Sequence, residues 1–355
     1  MHVNQGRPRE RSPANGQGAA PRRTFGRRGF TLVELLVVTA VIAIVAILSL
    51  PAIQSAREAS RRVTCRDNLR HLALGVLEHE SGCRRLPPAA RVTEAANPAT
   101  CTGCWNPWLE AGQSVPAPGT RHGSSWMLAV LPFLEQLTLH GRWDPATNVR
   151  GNAAVARTDV PNFYCPSRRS RIRTDRDDHR SLLDPAWRGG GTDYGGCYGR
   201  LDGFVNDTAS DRRFADVDTP IAGSSGRRDG LFTPQEGRRL ALATDGLSRT
   251  ILLGELQRLR PLRAATAAAS TYNRTSQDGW AIGGAATLFV TATDPVHGNP
   301  GGMNNLFFES PGSDHGGGAF FAMADGSVHW LSEFIDAKDN NSVFPLLGSM
   351  RDGRP

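Results

Sequence analysis

The sequence lacks a second long hydrophobic run, and this excludes a membrane protein with several spans. Hydrophobic residues make up 39% of the 355 residues and charged residues 21%, which excludes wholesale disorder. Internal repeats are absent, as are the G-x-S-x-G, H-E-x-x-H, P-loop and dinucleotide-binding patterns of common enzymes. Glycine is abundant instead, with 39 residues. This composition favours a loop-rich body that contains a sheet.

The body of the chain also lacks an excess of positive charge. The formal net charge is +7, but residues 1–29 alone carry seven arginines and Glu10, a net of +6. This leaves 34 basic and 33 acidic residues from Phe30 onward, a net of +1. A nucleic-acid partner is therefore not predicted, because such partners require a basic surface.

The single long apolar run covers residues 30–50 and directly follows the arginines. As a helix it would be about 31 Å long, which matches a bilayer core of about 30 Å. Arginines before a span stay in the cytoplasm. We therefore expect a single-pass protein of the cytoplasmic (inner) membrane, with its body after Pro51 in the periplasm or at the cell exterior. A cleaved secretory signal is the alternative, but its apolar region is shorter and ends in a small-x-small site.

One acid, Glu34, interrupts the apolar run. A carboxylate at the centre of a membrane helix costs about 2.5 to 3.5 kcal/mol, so such a residue is a functional hypothesis. The segment RRGFTLVELLVV resembles the processing signal of type IV prepilins and pseudopilins. The resemblance implies that prepilin peptidase cuts after Gly29 and methylates the amine of Phe30. It also implies that Glu34 meets the amine of another pseudopilin-like subunit within membrane lipid.

The helix is expected to continue beyond the membrane, with a kink or break near Pro51. Apolar residues from Ile53 to Leu77 recur at helical spacing, which predicts an amphipathic continuation over residues 51–80. We expect its apolar face to pack on the protein's own sheet. Gly82 and the following prolines end the pattern.

Residues 86–355 are predicted to form one globular domain of short elements. The clearest is a C-terminal hairpin over residues 319–331 around Asp325-Gly326. A helix containing Trp126 to Leu139 is weakened by Pro132. Further strands are predicted at residues 163–165, 194–198, 231–233, 240–243 and 250–256, and surface loops at 89–120, 168–191 and 261–279. Within residues 168–180 several arginines are interspersed with aspartates, which favours a solvated loop over an anion site.

Five further segments extend the resemblance across most of the chain. They are WMLAVLPFLEQ at 126–136, FYCPS at 163–167, TDYG at 192–195, ATDGLSRTILLGE at 243–255 and SDHGGGAFFAMADGSVHWL at 313–331. In this order they resemble prepilin-type proteins with a C-terminal His-x9-Asp-Gly signature, domain of unknown function 1559. The resemblance implies an α+β, pilin-like fold, in which a long N-terminal helix packs on a loop-rich, mainly antiparallel sheet. It implies no established biochemical activity.

The signature residues His315, Asp325 and Gly326 are interpreted as structural. Glycines after His315 permit close backbone approach, and an aspartate before glycine suits a turn. Metal binding and catalysis are the alternatives, but no nucleophile with a positioned base is visible at motif spacing. No catalytic residue, cofactor or metal is therefore predicted, and the protein is not expected to be an enzyme.

The sequence has six cysteines, for which disulfides are the default outside the cytoplasm. Cys101-x-x-Cys104 lacks the second pair that a zinc site needs. Full pairing of six cysteines has 15 solutions. We predict a bond between Cys65 and Cys165, the two cysteines in family-like segments, which would join the long helix to a strand. Closing a loop of about 100 residues stabilises by about 4.7 kcal/mol in chain-entropy models.

Two classes of function follow. The first is a pseudopilin-like structural protein within a type II secretion or type IV pilus-like assembly. The second is a membrane-tethered binding module for carbohydrate or peptide, in which the helix is only an anchor. Seven tryptophans support the second class, because exposed aromatic residues often mark binding surfaces.

Overall fold

The fold is α+β in a computed structural model. The residues described are 29–92, 107–112, 123–170, 187, 189–200, 229–234, 236–259, 276–293, 298–305 and 307–351. The basic leader up to residue 28 and the pair Cys101 and Cys104 lie outside this range. The chain divides into two compact units, Met1–Ser55 and Ala56–Pro355.

Helix α1 covers Leu32–Cys83, a single helix of 52 residues with Pro51 inside it. The predicted continuation beyond Pro51 is therefore present, and the helix is not broken there. Among the residues described, α1 is the one helix long and apolar enough to cross a membrane. The apolar side chains of its first half are exposed in the structure. A single transmembrane anchor accounts for this exposure.

The second half of α1 is amphipathic, but its buried face is shorter than predicted. Burial begins at Cys65 and includes Leu69, Leu72 and Val76. Val63 belongs to the predicted stripe, yet it is 48% exposed. The last two turns before Cys83 are only partly buried.

Five strands form one sheet in the order β3-β1-β2-β4-β5. They are β1 Tyr194–Cys197, β2 Ile251–Glu255, β3 Leu288–Phe289, β4 Gly318–Met323 and β5 Val328–Ser332. Three of the neighbouring pairs are antiparallel, and β1 with β3 is parallel. The mainly antiparallel sheet and the hairpin of β4 and β5 are confirmed.

Three predicted strands are wrong. Residues 231–233 and 163–165 are not strands, and residues 240–243 begin with a 3₁₀ turn. Phe163 and Leu231 are fully buried all the same. A buried turn and a buried strand have the same apolar composition over three residues, so such short runs do not specify a strand. Strand β3 was missed for the same reason, since it has two residues.

The predicted helix around Trp126 is divided by Pro132. Helix α3, Trp126–Val130, is capped at its N-terminus by Ser125, whose side chain accepts a hydrogen bond from the amide of Met127 at 3.1 Å. Pro132 lies at the start of a 3₁₀ turn and cannot donate a backbone hydrogen bond.

The short helices are α2 Pro107–Gly112, α3 Trp126–Val130, α4 Leu137–Gly141, α5 Ala153–Ala156 and α6 Val343–Leu347. The 3₁₀ turns are Leu131–Leu134, Pro161–Phe163, Leu240–Leu242, Leu247–Arg249 and Gly284–Ala286.

The core contains several of the described residues that were predicted to lie in surface loops. Ala89 and Ala90 are fully buried, and residues 276–279 are buried as well. Trp126, Trp187 and Trp280 form the bulkiest part of the interior. Backbone polar groups in these loops reach partners across the chain; the amide of Ala89, for example, donates to the carbonyl of Thr233 at 2.7 Å. Such bonds permit burial without a strand or helix.

Candidate functional site

Four side chains that commonly bind metals meet inside the body. They are Cys65, Cys165, Glu255 and His315, and one potential ligand atom from each lies within 4.8 Å of the others. None of the four is more than 2% exposed. Each comes from a different segment: α1, the turn after residues 161–163, the end of β2 and the loop before β4. The body therefore converges on this cluster, which we call the thiol-imidazole cluster.

Backbone contacts hold the two cysteines in place. The side-chain amide of Asn68 donates to the carbonyl of Tyr164 at 3.1 Å, joining α1 to the turn that carries Cys165. The amide of Cys165 donates to Oδ2 of Asp193 at 3.0 Å. The hydroxyl of Tyr194 donates to the carbonyl of Cys65 at 3.4 Å. Both cysteines are thus fixed by residues of two family-like segments, FYCPS and TDYG.

One carboxylate oxygen of Glu255 faces the cluster, and the other accepts a hydrogen bond from the neighbouring strand β4. Its Oε2 accepts the backbone amide of Phe320 at 2.8 Å. Its Oε1 is buried and has no hydrogen-bond partner. Burial raises the pKa of Glu255, since an ionised carboxylate loses its hydration there. An unpartnered carboxylate oxygen in a protein interior is costly and calls for an explanation.

His315 lies between carboxylates and the thiol of Cys165. Its Nδ1 is 2.6 Å from Oε1 of Glu58, and its Nε2 is 3.5 Å from both Sγ of Cys165 and Oε1 of Glu255. Burial lowers the pKa of His315, but the bond to Cys165 and the nearby carboxylates outweigh this and raise it to about 9.

Glu58 supports this histidine from α1. Its carboxylate is 2.7 Å from Nη2 of Arg61 and accepts a hydrogen bond from Ser167 at 3.1 Å. Burial alone would raise the pKa of Glu58, but the bonds from His315, Arg61 and Ser167 together lower it. The ionised carboxylate fixes the orientation of the imidazole. Nothing in the sequence pattern pointed to Glu58, because it lies 257 residues from its partner.

Cys65 and Cys165 are adjacent, as the predicted disulfide requires. Their sulfur atoms lie within 4.8 Å, and the structure holds both residues as free thiols. A hydrogen bond from Cys65 and burial raise the pKa of Cys165 well above its usual range. Cys83 is exposed and Cys197 is buried, and neither belongs to the cluster. The bond between Cys65 and Cys165 stays a prediction.

A buried ion network lies beside the cluster, and it corrects the prediction of a solvated arginine loop. The side chains of Arg168 and Arg169 are 4% and 6% exposed. Both contact Asp193, at 3.3 and 2.7 Å, and Arg169 also contacts Asp278 at 2.5 Å. A buried charge needs opposite charges within contact distance, and the core aspartates supply them here. Residues 171–180 of the arginine run lie outside the described residues.

The Asp-Gly half of the signature has a separate, structural role. Oδ1 of Asp325 accepts hydrogen bonds from the amide and hydroxyl of Ser327, at 2.8 and 2.6 Å. Gly326 has a φ of +83°, and a Cβ there would lie 3.2 Å from Leu77 of α1. The two halves of the signature therefore have different roles. His315 belongs to the thiol-imidazole cluster, and Asp325-Gly326 forms the turn of the hairpin that packs on Leu77 of α1.

Gly326→Ala should lower the free energy of unfolding by about 1 to 2 kcal/mol, since a Cβ is strained in this left-handed conformation. The matched control is Gly82→Ala, where a Cβ meets no atom within 4 Å and no positive φ opposes it. Chemical denaturation of the full chain in detergent, followed by tryptophan fluorescence, measures both. Equal stability of the two variants would contradict the assigned turn.

The processing segment lies immediately before α1. Gly29 and Phe30 precede the helix, and Phe30 is 76% exposed. Glu34 forms a capping box with Thr31: its carboxylate accepts from the amide and hydroxyl of Thr31, each at 2.8 Å, and its own amide donates to that hydroxyl at 3.3 Å. The T-x-x-E pattern before an apolar run is a sequence signal for this arrangement, and it was missed.

Most of the tryptophans whose side chains the structure describes do not present a binding surface. Trp126, Trp143, Trp187 and Trp280 are buried, and Trp330 is half-buried. A cleft of about 530 Å³ lies elsewhere on the body, lined among others by His79, Pro88, Arg91, Phe133 and His140. Its size falls within the range of small-molecule sites.

Comparison with known proteins gives two matches. The family described as protein of unknown function (DUF1559) matches residues 54–338. The prokaryotic N-terminal methylation motif matches residues 25–50. Both resemblances inferred from the sequence are confirmed. No curated protein and no solved structure matches the chain.

Proposed function

Because the chain belongs to the DUF1559 family and carries the prokaryotic N-terminal methylation motif, we propose that it is a pseudopilin-like structural subunit of a secretion or pilus-like assembly. It is a prepilin-like, membrane-anchored protein of the pseudopilin type. Both matches point to a structural, non-enzymatic role. The proposal adds cleavage after Gly29, methylation of Phe30 and assembly through the N-terminal helix.

The apolar first half of α1 is the observation that carries the proposal. Its side chains are exposed around the helix, including Leu35, Ile42 and Ile47 at 58%, 61% and 68%. A helix that is apolar all round requires lipid or neighbouring helices. An anchor in the membrane satisfies this requirement before assembly, and packing against other subunits satisfies it afterwards.

The charge distribution supports one orientation. Seven arginines precede the span, and they favour a cytoplasmic position for the leader. This is the side on which a prepilin peptidase acts on related signals. The body after Pro51 would then lie in the periplasm or at the cell exterior, where a type II secretion or type IV pilus-like assembly is built.

Processing provides the direct test. Co-expression of the full chain with a prepilin peptidase should give a mature protein that starts at N-methylated Phe30, by intact mass and N-terminal sequencing. Gly29→Val should abolish cleavage, because a branched side chain replaces hydrogen at the residue before the cut. The matched control is Gly26→Val in the same leader, which should be cleaved normally. An uncut leader in the unchanged chain, or a cut near Ala52, would refute the proposal.

A tethered binding module is the second candidate, and the cleft lined by His79 and Phe133 is the observation in its favour. The two rings meet edge to face with centroids 5.9 Å apart. Burial lowers the pKa of His79 despite its bond to the carbonyl of Arg85, so an uncharged ring faces the cleft at neutral pH. The lining combines these rings with the charged side chains of Arg85, Arg91 and Glu236, a mixture of apolar and polar groups that suits a carbohydrate or peptide. This candidate requires no contact between membrane helices.

A further inference from the structure

We propose that Cys65, Cys165, His315 and Glu255 bind one divalent transition-metal ion, with zinc as the best fit, in a closed structural site. The inference goes beyond the proposed function, and it does not depend on processing or assembly. It replaces two expectations from the sequence, that no metal is bound and that Cys65 and Cys165 form a disulfide.

The distances within the thiol-imidazole cluster suit tetrahedral coordination. Zinc binds thiolate at about 2.3 Å and imidazole or carboxylate at about 2.0 to 2.2 Å, which sets neighbouring ligand atoms about 3.3 to 3.8 Å apart. Nε2 of His315 lies 3.5 Å from Sγ of Cys165 and 3.5 Å from Oε1 of Glu255. All four ligand atoms lie within 4.8 Å of one another, so a contraction of at most about 1 Å completes the tetrahedron.

The ligand set favours zinc among the common divalent ions. Two thiolates exclude magnesium and calcium, which prefer oxygen ligands. An imidazole and one carboxylate oxygen complete a set of ligand types that zinc accepts. Three ligand charges would leave a net charge of −1 around the ion. The buried guanidinium of Arg168 interacts favourably with Cys165 and Glu255, so a compensating charge is already present.

The surrounding residues have the arrangement that supports metal ligands. A ligating histidine usually donates its other ring N–H to a carboxylate. Glu58 accepts such a bond from Nδ1 of His315 at 2.6 Å, which leaves Nε2 facing the thiol of Cys165 and Glu255, where a metal ion would take the place of its proton. The second oxygen of Glu255 is held by the amide of Phe320 at 2.8 Å. Each of these two ligands is therefore oriented before any ion binds.

The buried Oε1 of Glu255, which has no hydrogen-bond partner, favours this interpretation over a disulfide and over an ion pair with His315. A disulfide between Cys65 and Cys165 would satisfy the sulfur atoms but leave this buried oxygen without a partner. An imidazolium at His315 would face it at 3.5 Å, which is too long for a charge-assisted hydrogen bond. A metal ion satisfies the oxygen, the imidazole and both sulfurs at once.

Four protein ligands and complete burial indicate a structural centre, because catalytic zinc keeps an open position for water. The ion would join α1 to the FYCPS turn, to β2 and to the loop before β4. The ligands lie at positions 65, 165, 255 and 315, so no short spacing in the sequence reveals them.

Metal analysis of the full chain tests the proposal. The protein is purified from membranes in detergent with reductant and without chelator, and zinc is measured by mass spectrometry. We expect about one zinc per chain, and a loss to background in Cys65→Ser, Cys165→Ser and His315→Ala. Cys83→Ser is the matched control and should keep its zinc, since Cys83 is an exposed thiol outside the cluster. Removal of zinc by a chelator should lower the melting temperature of the unchanged protein.

Two further measurements keep the test decisive if a ligand variant fails to fold. Cobalt added to the apo form of the unchanged chain should give the absorption of tetrahedral cobalt with sulfur ligands. Glu58→Gln should weaken zinc affinity by about 10- to 100-fold while leaving one site at saturation, as for other residues that hold a ligand. The proposal is overturned if the unchanged chain takes up neither zinc nor cobalt, or if peptide mapping without reductant finds Cys65 bonded to Cys165.

Discussion

Asp193→Ala is expected to lower the free energy of unfolding by about 3 to 5 kcal/mol, the range measured when one partner of a buried ion pair is removed. Asp193 is fully buried and contacts Arg168 and Arg169 at 3.3 and 2.7 Å. Its other oxygen accepts the amide of Cys165 at 3.0 Å. The substitution therefore removes a shared counter-charge from two buried guanidinium groups, which keep Asp314 and Asp278, and it leaves the buried amide of Cys165 without its acceptor.

A neighbouring aspartate supplies the matched control. Asp314 also contacts Arg168, at 3.0 Å, but its side chain is 52% exposed. Asp314→Ala should cost less than about 1 kcal/mol, as for other exposed ion pairs. The loss of unfolding free energy for Asp193→Asn should lie between these two values, because asparagine keeps an acceptor for the amide of Cys165 but loses the charge. Denaturant unfolding of the full chain in detergent gives all three values, and equal losses for Asp193→Ala and Asp314→Ala would contradict the assigned network.

Glu34→Gln is expected to abolish recovery of the protein in higher-order complexes while processing and insertion remain intact. Glutamine keeps an acceptor for the capping box with Thr31. It removes the negative charge that would neutralise the amine of a neighbouring subunit within lipid, where an unpaired charge is expensive. Cross-linking in membranes, followed by size analysis and identification of the linked chains, measures the effect.

Thr31→Ala separates the two roles of Glu34. This variant loses the hydroxyl of the capping box but keeps the carboxylate, so assembly should persist with a slightly less stable helix start. If Thr31→Ala disrupts assembly as much as Glu34→Gln does, the carboxylate acts through the cap. If neither substitution changes assembly, the helix is a tether, and the binding-module candidate with its cleft takes precedence.

Two features of the fold could be predicted from the sequence, the long helix α1 and the β4–β5 hairpin. Helix α1 has a periodic or continuous apolar pattern over about fourteen turns, and the β4–β5 hairpin has an Asp-Gly turn between apolar runs. Both signals are local and strong. The segment at residues 163–165 is equally apolar, but it is a buried turn whose burial depends on residues about a hundred positions away. A short apolar run in the sequence does not distinguish a buried turn from a buried strand.

The site could be predicted only in part. The pairing of Cys65 with Cys165 in space followed from their places in two family-like segments, and His315 was noted as part of a signature. Glu255 and Glu58 were missed because an acid in a strand and an acid on an amphipathic helix usually face solvent. Their burial and contacts arise from tertiary packing, which the local sequence does not encode.

The contact of His315 with Glu58 spans 257 residues, and this sets an order of events during synthesis. The helix that carries Glu58 is made first, but its imidazole partner and the strand β4 that pairs with β2 are made near the end of the chain. Contacts so distant in sequence form slowly, because the chain between them loses entropy when they close. A nascent chain that ends before residue 313 lacks both partners. The body therefore completes its packing on the second half of α1 only when its last hairpin has been made.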